Sequence, residues 1–489
     1  MENFHGITII GLGPGSIDLV TKQTWDLIQQ AERIFLRTGQ HPAVAGFPKT
    51  VEIIPFDEYY QKFENFEEVY KKILDTIIEQ ASRNDRVIYA VPGHPFVAET
   101  TSPLIVKMAN EKNIPVRVFE AVSFLEPVFS ALGIDPFSGI TLLDAFDVGS
   151  ANFPQFPPSR PVIISQIYSR MVAAEVKQTL MEIYEDEHPV KLIHAAGTKH
   201  EVIESIPLYE IDRSKQIGIL TSLYVEPLDQ YTSFEEFQEI IAHLRAPNGC
   251  PWDREQDHQT LRPHLLSETY ELIAALDADD PEHMKEELGD LLLQIVLHAQ
   301  IGAEYGEFKM ADVIKGISEK LIRRHPHVFN QLTVNGVGEV LTNWEKIKEK
   351  EREDNGKKTE NGILSGVPID YPALAQSQEI QNRAARVGFD WDTIEPVIEK
   401  IHEEIDEIVT ANDNSSQLQE LGDLLFSIVN LIRWHDGDAE ALLRETNFRF
   451  RKRFNFIEQK VKEMNKSMQD FSLEELDKFW EQAKKQKLQ

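Results

Sequence analysis

The same acidic string occurs twice in this chain, Glu-Leu-Gly-Asp-Leu-Leu at Glu287–Leu292 and again at Glu420–Leu425. An earlier amphipathic segment carries further glutamates in each copy, Glu268 and Glu271 before the first string and Glu403, Glu404 and Glu407 before the second. Residues three or four apart lie on the same face of a helix, so each pattern predicts a helix with a carboxylate-bearing face. The duplication therefore predicts two related pairs of packed helices.

The facing acidic helices of each pair predict a metal site. In the second copy, Glu404 and Glu407 point one way, and Glu420 and Asp423 on the next helix can point back at them. Such converging carboxylates repel one another unless a cation lies among them. Oxygen ligands favour Mg²⁺, with Mn²⁺ as the second choice, and Mg²⁺ commonly shares its shell with substrate phosphates. A nucleotide or another phosphate ester is thus the expected substrate. The first copy offers the corresponding ligands Glu268, Glu271, Glu287 and Asp290.

A single acidic pattern of this kind is more often a solvated helix face, and that alternative stays open for either copy alone. The recurrence of the same string in the same order favours a site. Gly289 and Gly422 lie inside the second helix of each pair. Glycine inside a helix costs about 1 kcal/mol relative to alanine, so these two residues predict a close approach of helix backbones.

Composition limits the class of the protein and its partners. The 489 residues suffice for about three domains, and 42% hydrophobic with 27% charged residues is ordinary for a soluble globular protein. The single cysteine, Cys250, excludes an intramolecular disulfide framework and predicts a cytoplasmic protein. The apolar run Ile7–Ile10 is too short for a signal segment or a membrane span, so no membrane partner is expected. A formal net charge of −31 argues against binding of a nucleic-acid polymer.

From residue 1 to about residue 222, β-rich runs alternate with helical stretches, which predicts an α/β unit in two lobes with a largely parallel sheet. The runs are Ile7–Leu12, Arg86–Val91, Val116–Glu120, Pro161–Ser165, Lys191–Ala195 and Gly218–Ser222. From Thr232 onward, helical periodicity replaces the strand signals. The predicted domains are the α/β unit at 1–222, a linker at 223–231, and two all-α bundles at 232–350 and 371–489 joined by a linker at 351–370.

Two glycine loops follow predicted strands of the α/β unit, Gly11–Gly15 and Pro92–Pro95. The first resembles a dinucleotide fingerprint only weakly, because Ser16 replaces the third glycine and Pro14 fixes a turn. A plain tight turn is the alternative for either loop alone. Loops at the carboxyl ends of strands are nevertheless where open α/β sheets bind their ligands.

The ordered motifs Gly11–Gly15, Val91–Pro95, Glu120–Phe124 and Ala131–Gly133 resemble the tetrapyrrole methylase family over most of residues 1–222. The resemblance implies two α/β lobes with S-adenosylmethionine bound in the cleft between them. The implied cofactor-binding residues are Pro14, Gly93, His94, Val97, Ser123, Phe124, Ile167, Ala195, Ala196 and Gly197. The family methylates varied acceptors, so no acceptor is implied. A unit that binds the cofactor without methyl transfer, as a sensor or scaffold, is the alternative.

The segment Phe234–Gln489 resembles the MazG nucleoside triphosphate pyrophosphohydrolases. The resemblance rests on Leu244–Asp253, both acidic strings, Arg323–Phe329 and Arg383–Trp391. It implies hydrolysis of a nucleoside triphosphate to the monophosphate and pyrophosphate, and helices that pair between subunits of a homo-oligomer. A module that binds nucleotides without turnover is the alternative.

The Glu-Glu-x-x-Glu motif of this family is complete at Glu403–Glu407, whereas Ser267 replaces the leading glutamate in the first copy. The resemblance therefore implies catalysis by Glu403 and Glu404 in the second copy, with Glu403 as the base. Cations one helical turn apart are candidates for binding the phosphates, and a tryptophan in each copy could stack on the base, although core packing is the alternative for tryptophan. These candidates are Arg449, Arg453 and Trp480 in the second copy and Lys320, Arg324 and Trp344 in the first.

Overall fold

A computed structural model describes residues 4–63, 65–83, 86–330, 332–354, 363–364 and 367–485. The chain divides into two compact units, residues 1–254 and 255–489. Among the described helices, none combines the length and the apolar character needed to cross a bilayer. Half of the predicted linker at 351–370 lies outside the described residues.

The first unit begins with a five-stranded parallel sheet. Its strands are β1 (Gly6–Gly11), β2 (Arg33–Leu36), β3 (Glu52–Pro55), β4 (Arg86–Val91) and β5 (Val116–Phe119), in the spatial order β3-β2-β4-β1-β5. Every residue of β1 is buried, as expected for a strand of a parallel sheet covered on both faces. The helix Phe66–Ser82 packs its buried face of Val69, Ile73 and Ile77 against this sheet, because residues four apart share one helix face.

The second lobe contains a mixed sheet. Its strands are β6 (Thr141–Asp144), β7 (Val162–Ser165), β8 (Pro189–His194), β9 (Val202–Pro207) and β10 (Thr221–Val225), in the spatial order β6-β7-β10-β8-β9. The pair β6–β7 is parallel, whereas β7–β10, β10–β8 and β8–β9 are antiparallel. The prediction of a largely parallel sheet is therefore right for the first lobe and wrong for the second. The loop between β8 and β9 is too short for a parallel crossover.

Nine helices are described in or at the end of the first unit. They are α1 (Lys22–Gln29), α2 (Asp57–Lys62), α3 (Phe66–Ser82), α4 (Thr101–Glu111), α5 (Leu125–Leu132), α6 (Ala145–Ser150), α7 (Arg170–Leu180), α8 (Phe234–Arg245) and α9 (Pro251–Glu255). Ser233 caps α8, and Ser159 Oγ lies 3.1 Å from Ser233 Oγ. This contact ties the start of α8 to the second lobe.

The secondary-structure elements described in the second unit are all helices, as predicted. The first acidic repeat forms α10 (Arg262–Ala278), α11 (Pro281–Tyr305), α12 (Met310–Arg324), α13 (Pro326–Phe329) and α14 (Val337–Asp354). Helices α10 and α11 pack along each other. Asp280 caps α11 by accepting from His283 N at 3.2 Å, and α11 ends at Gly306, whose φ of +73° favours glycine.

The second acidic repeat has the same plan. It forms α15 (Ala373–Arg386), α16 (Glu395–Thr410), α17 (Asn414–Trp434), α18 (Ala439–Glu463) and α19 (Leu473–Lys485). Helices α16 and α17 pack along each other, as do α18 and α19. Asp413 caps α17 by accepting from Ser415 N at 2.8 Å and from Ser416 N at 2.9 Å. The predicted fold class, an α/β two-lobed unit followed by duplicated all-α bundles, is confirmed.

Candidate functional site

Three carboxylates converge between α16 and α17 of the second repeat. Glu404 lies on α16, Glu420 and Asp423 lie on α17, and one oxygen of each lies within 4.8 Å of the others. Burial raises the pKa of Glu420, and a hydrogen bond with Glu407 and the charge of Asp423 raise it further. Glu407 lies outside the 4.8 Å group, but its side chain shares a hydrogen bond with Glu420. The structure thus brings three of the four predicted ligands of this repeat together.

Lys400 contacts the edge of this cluster. Its Nζ lies 2.8 Å from Glu404 Oε1 and 3.2 Å from Glu403 Oε1. Hydrogen bonds to Glu404 and Glu403 raise the pKa of Lys400, so its ammonium stays charged. A divalent cation in the cluster would compete with this ammonium for Glu404. The sequence analysis missed Lys400, although its spacing of four residues before Glu404 on a helix was an available signal.

The first repeat has a corresponding cluster between α10 and α11. One oxygen each of Glu268, Glu287 and Asp290 lies within 4.8 Å of the others. Burial raises the pKa of Glu268, and the charges of Asp290 and Glu271 raise it further. Ser267 donates to Glu271 Oε1 at 2.8 Å, so the residue that replaces the leading glutamate binds the last glutamate of its own motif.

Glu287 has one partnered and one unpartnered oxygen. The residue is 5% exposed, and its Oε1 lies 2.9 Å from His283 Nε2. Among the described residues, no group makes a hydrogen bond with the buried Oε2. A buried carboxylate oxygen without a partner is costly unless a cation or an ordered water binds it.

Both clusters fit a hard divalent cation. Every donor in them is a carboxylate oxygen, the donor type that Mg²⁺ and Mn²⁺ prefer. Burial and repulsion between neighbouring carboxylates raise the pKa of Glu268 and of Glu420, and a bound divalent cation would offset that repulsion. In a chain of formal charge −31, such a cation also relieves local repulsion.

In the second repeat, a predicted cation and the predicted tryptophan meet. The Arg453 guanidinium lies over the Trp480 ring, 5.6 Å from the ring centre. The centre of the Phe450 ring lies 5.0 Å from that of Trp480. Arg449 pairs with Glu445 of its own helix. Helices α18 and α19 thus form an aromatic wall with one arginine on it.

The first repeat arranges the corresponding residues differently. The Trp344 ring contacts the His325 ring at 5.3 Å between centres, and Lys348 Nζ lies 5.1 Å from the Trp344 ring centre. Arg324 is bound by Glu351, and Lys320 is exposed on α12. The two repeats therefore differ most in the partners of their cations.

The expected close approach at Gly289 and Gly422 is wrong for the described chain. A Cβ built on either residue meets no atom within 4 Å. Both residues lie on exposed faces of α11 and α17. Within the described chain, no second helix comes close enough to require glycine at these positions.

The two glycine loops of the first unit are hydrogen-bonded to each other. Gly93 N donates to Gly13 O at 2.8 Å, and Gly13 N donates to Gly93 O at 3.3 Å. A Cβ on Gly11 would lie 2.3 Å from Gly93 O, so glycine permits this close approach. The His41 ring donates from Nε2 to Gly13 O at 2.9 Å, because its Nδ1 accepts from a backbone amide. Burial lowers the pKa of His41, which keeps this ring neutral.

A cavity of about 490 Å³ lies at these loops, and both lobes contribute to its walls. The volume is within the range of about 300–1,000 Å³ typical of small-molecule sites. The predicted cofactor-binding residues that line it are Pro14, Gly93, Val97, Phe124 and Ala196.

Two other predicted cofactor residues are engaged by glutamates. His94 Nε2 lies 2.6 Å from Glu120 Oε2. Ser123 is buried, and its hydroxyl donates to Glu126 at 2.6 Å. Neither residue lines the cavity as described. Their side chains hold the loops that follow β4 and β5.

The remaining three predicted cofactor residues do not line the cavity either. Ile167 is fully buried in the core of the second lobe. Ala195 and Gly197 flank the lining residue Ala196, with φ of +49° and +73°. This left-handed backbone shapes the loop after β8.

The residues of one cavity wall were not predicted from the sequence. This wall is formed by Arg37, Thr38, Gln40, His41, Asp57, Tyr60 and Gln61, which follow β2 and β3. On the second lobe, Ser165, Gln166 and Ile219–Ser222 were also missed. The available signal was their place directly after strands, but β2 and β3 were not among the predicted strands.

Arg37 is a fixed charge on that wall. It pairs with the buried Glu99 and donates from Nε to Tyr60 Oη at 3.1 Å. Burial opposes the charge, but Glu99 and Tyr60 together raise the pKa of Arg37 above its ordinary value. Glu99 in turn accepts from Thr101 N at 2.8 Å. The first lobe therefore places a permanently charged guanidinium on the cavity wall.

Comparison with known proteins identifies the family. Residues 6–212 match the tetrapyrrole (corrin/porphyrin) methylases, and residues 256–329 match the MazG nucleotide pyrophosphohydrolase domain. The chain is 43% identical over 487 residues to the protein YabN of Bacillus subtilis, and the match covers 98% of each chain. The chain belongs to the YabN family. The fusion of a methylase domain with a MazG domain, predicted from the motifs, is confirmed.

The MazG part of this YabN-family chain has named relatives. The nucleoside triphosphate pyrophosphohydrolase/pyrophosphatase MazG of Thermotoga maritima is 46% identical over 251 residues, which are 51% of this chain and 95% of that protein. The nucleoside triphosphate pyrophosphohydrolase of Escherichia coli is 42% identical over 255 residues, which are 51% of this chain and 96% of that protein. The chain thus contains nearly the whole length of these two enzymes.

Proposed function

We propose that this YabN-family protein is a Mg²⁺-dependent nucleoside triphosphate pyrophosphohydrolase, and that its second MazG repeat carries the reaction. The convergence of Glu404, Glu420 and Asp423 within 4.8 Å is the observation that carries the proposal. The activity for which relatives at 42–46% identity are named supports it.

In the proposed reaction, water attacks the α-phosphorus, the bond to the bridging oxygen breaks, and nucleoside monophosphate and pyrophosphate separate. Mg²⁺ held by Glu404, Glu407, Glu420 and Asp423, or Mn²⁺ in its place, would polarise the phosphate and screen the charge that develops. Glu403 takes the proton from the attacking water. Its side chain is exposed beside the cluster, and its Oε1 lies 3.2 Å from Lys400 Nζ.

The aromatic wall of α18 and α19 supplies substrate binding in this proposal. Arg453 offers its guanidinium group to the phosphates, and Arg449 would do so by exchanging its exposed partner Glu445 for a phosphate. Trp480 offers a ring face to the base. Among the described residues, Arg453 Nε is buried without a hydrogen-bond partner, which leaves a donor for an anion.

For the first unit, we infer that S-adenosylmethionine binds the cavity at the glycine loops. When bound, it would supply a methyl group to an acceptor. A Cβ on Gly93 would meet no atom within 4 Å, so the loop backbone faces open space that a ligand can fill. Gly93 contributes close backbone approach, Phe124 and Val97 exclude water, and Arg37 fixes a polar end of the ligand.

We also propose a homo-oligomer. Helix α17 exposes Leu418, Leu421 and Leu425, and helix α11 exposes Leu288 and Leu292. Apolar rows of this extent on a helix are usually covered by a partner. A second copy of the chain supplies a matching helical surface.

A panel of nucleoside triphosphates incubated with Mg²⁺ tests the hydrolase. The expected products are the monophosphate and pyrophosphate. Diphosphate and phosphate as products, or no turnover of any triphosphate, would reject the proposal. Calorimetry with S-adenosylmethionine tests the first unit separately, and transfer of a labelled methyl group separates catalysis from binding alone.

A further inference from the structure

The first MazG repeat contains an ion-pair cluster at the end of α12. Glu351 on α14 binds both Arg323 and Arg324. Arg323 Nη2 lies 2.6 Å from Glu351 Oε1, and Arg324 Nη2 lies 2.6 Å from Glu351 Oε2. The Nε groups add bonds of 2.7 Å from Arg323 and 3.3 Å from Arg324 to Oε1. A single carboxylate thus occupies the donors of two guanidinium groups.

This cluster is shielded and permanently ionised. The Glu351 and Arg324 side chains are 14% and 19% exposed. Hydrogen bonds from Arg324 lower the pKa of Glu351 to about 2, although burial opposes this, and Arg323 adds to the effect. The carboxylate therefore stays charged at any physiological pH. Paired carboxylate and guanidinium groups of this geometry are among the stronger ion pairs.

The second repeat carries the opposite charge at the corresponding position. Glu351 follows Trp344 by seven residues, and Lys487 follows Trp480 by seven residues. Lys487 itself lies outside the described residues. Arg324 corresponds to Arg453, whose Nε is buried and has no hydrogen-bond partner in the described part of the chain. The guanidinium of Arg324 is therefore bound by a carboxylate in the first repeat. The Nε of the corresponding Arg453 has no hydrogen-bond partner among the described residues.

We propose that Glu351 closes a latent triphosphate site in the first repeat. Its carboxylate takes the place of phosphate oxygens on Arg323 and Arg324, so the first repeat does not bind a nucleoside triphosphate. This inference rests on the proposed function, because it assumes that the corresponding arginine of the second repeat binds the substrate phosphates. The carboxylates of Glu268, Glu287 and Asp290 are separate from the cluster and keep their capacity for a cation.

The test is the number of triphosphate sites in each chain. The full-length protein is titrated by calorimetry with Mg²⁺ and the α,β-methylene analogue of ATP, which the proposed reaction cannot cleave. Inorganic tripolyphosphate, which has no base, repeats the titration. We expect one site per chain in the parent and two in Glu351→Gln, with the new site at least about tenfold tighter than any residual binding in the parent. Glu351→Lys reproduces the residue of the second repeat and should have the same effect.

Matched controls keep the result interpretable. Glu319→Gln removes the same charge from an exposed position on α12 that does not contact the two arginines, and it should leave one site. Circular dichroism checks that each variant stays folded. Turnover should remain at the parent value in Glu351→Gln, because Ser267 stands where the base would be.

Two sites in the parent, or one site in both folded Glu351 variants, would overturn the inference and leave the proposed hydrolase intact. A parent that neither binds nor cleaves triphosphates would count against the proposed function instead. In that case, a site gained in Glu351→Gln would still support the latent site, and none gained would reject it.

Discussion

In each MazG repeat, three carboxylates converge between two packed helices. The flanking groups differ. Ser267 stands where the second repeat has Glu403, and His264 stands where it has Lys400. The arginine at the end of α12 is bound by Glu351, whereas Arg453 keeps a donor without a partner among the described residues. Under the proposed function, cation binding and triphosphate turnover rest on separable residues, so a duplicated site could retain the first and lose the second.

The largest expected effect concerns the proposed base. Glu403→Gln should lower kcat by roughly 10²–10⁴-fold, the range typical of a general base. Stabilisation by Mg²⁺ in thermal melts should be unchanged, because Glu403 lies outside the converging group of the second repeat. Steady-state kinetics with the preferred triphosphate measures the change. Asp406→Asn, at an exposed position on the same helix, is the matched control and should keep activity. Parent-like kcat in Glu403→Gln would assign the base elsewhere.

A second expected effect isolates the first unit from both repeats. Gly93→Leu should weaken S-adenosylmethionine binding about tenfold or more, because the new side chain would fill the space at the cavity wall. Calorimetry measures it. Gly133→Leu is matched, because Gly133 has a similar φ of +67° and open space but does not line the cavity. Triphosphate turnover should be unchanged in both variants. If Gly93→Leu altered turnover, the contrast between the repeats could not be assigned to their own residues.

A third effect tests whether the first repeat keeps its cation. Glu287→Gln removes the carboxylate whose buried Oε2 has no partner in the described structure. We expect one fewer Mn²⁺ bound per chain, measured by electron paramagnetic resonance, with turnover close to the parent value. His283→Gln, which removes the ring that contacts Glu287 but no carboxylate from the cluster, should retain the ion. Equal Mn²⁺ binding in Glu287→Gln and in the parent would contradict a metal site in the first repeat.

The smallest effect is a pH dependence in the first unit. Burial lowers the pKa of His41 in the folded state below its unfolded value of about 6.5, so the unfolded chain binds the proton more tightly. The stability that depends on neutral His41 is therefore present above about pH 6.5 and is lost as the pH falls below it. The slope cannot exceed about 1.4 kcal/mol per pH unit for one proton. Melts of the parent and of His41→Asn at several pH values should show a smaller pH slope in the variant. Equal slopes would contradict the assignment.

The sequence predicted what is local along the chain. The carboxylate clusters were found because their members are spaced by three or four residues on helices, and α16 and α17 are adjacent helices. Strands β1, β4, β5, β7, β8 and β10 were predicted from β-rich runs, whereas β2, β3 and β6 were not. Strand β9 was missed because its residues are largely exposed and do not form an apolar run.

Contacts between distant residues left no pattern in the sequence. Arg324 and Glu351 are 27 residues apart, and Arg37 and Glu99 are 62 apart. Whether a charge is saturated or available depends on such pairs, so the sequence alone could not separate Arg324 from Arg453. The antiparallel pairing in the second lobe is likewise a matter of topology, because a buried apolar strand looks alike in either direction.

The central claim is that the second repeat carries the hydrolysis. Its most direct test compares Glu404→Gln with Glu268→Gln, which make the same change at the buried Glu404 of the second cluster and at the half-buried Glu268 of the first. Turnover of the preferred triphosphate at saturating Mg²⁺ should be largely lost in Glu404→Gln and largely retained in Glu268→Gln. Equal loss of turnover in the two variants, with both folded by circular dichroism, would contradict the assignment of the reaction to the second repeat.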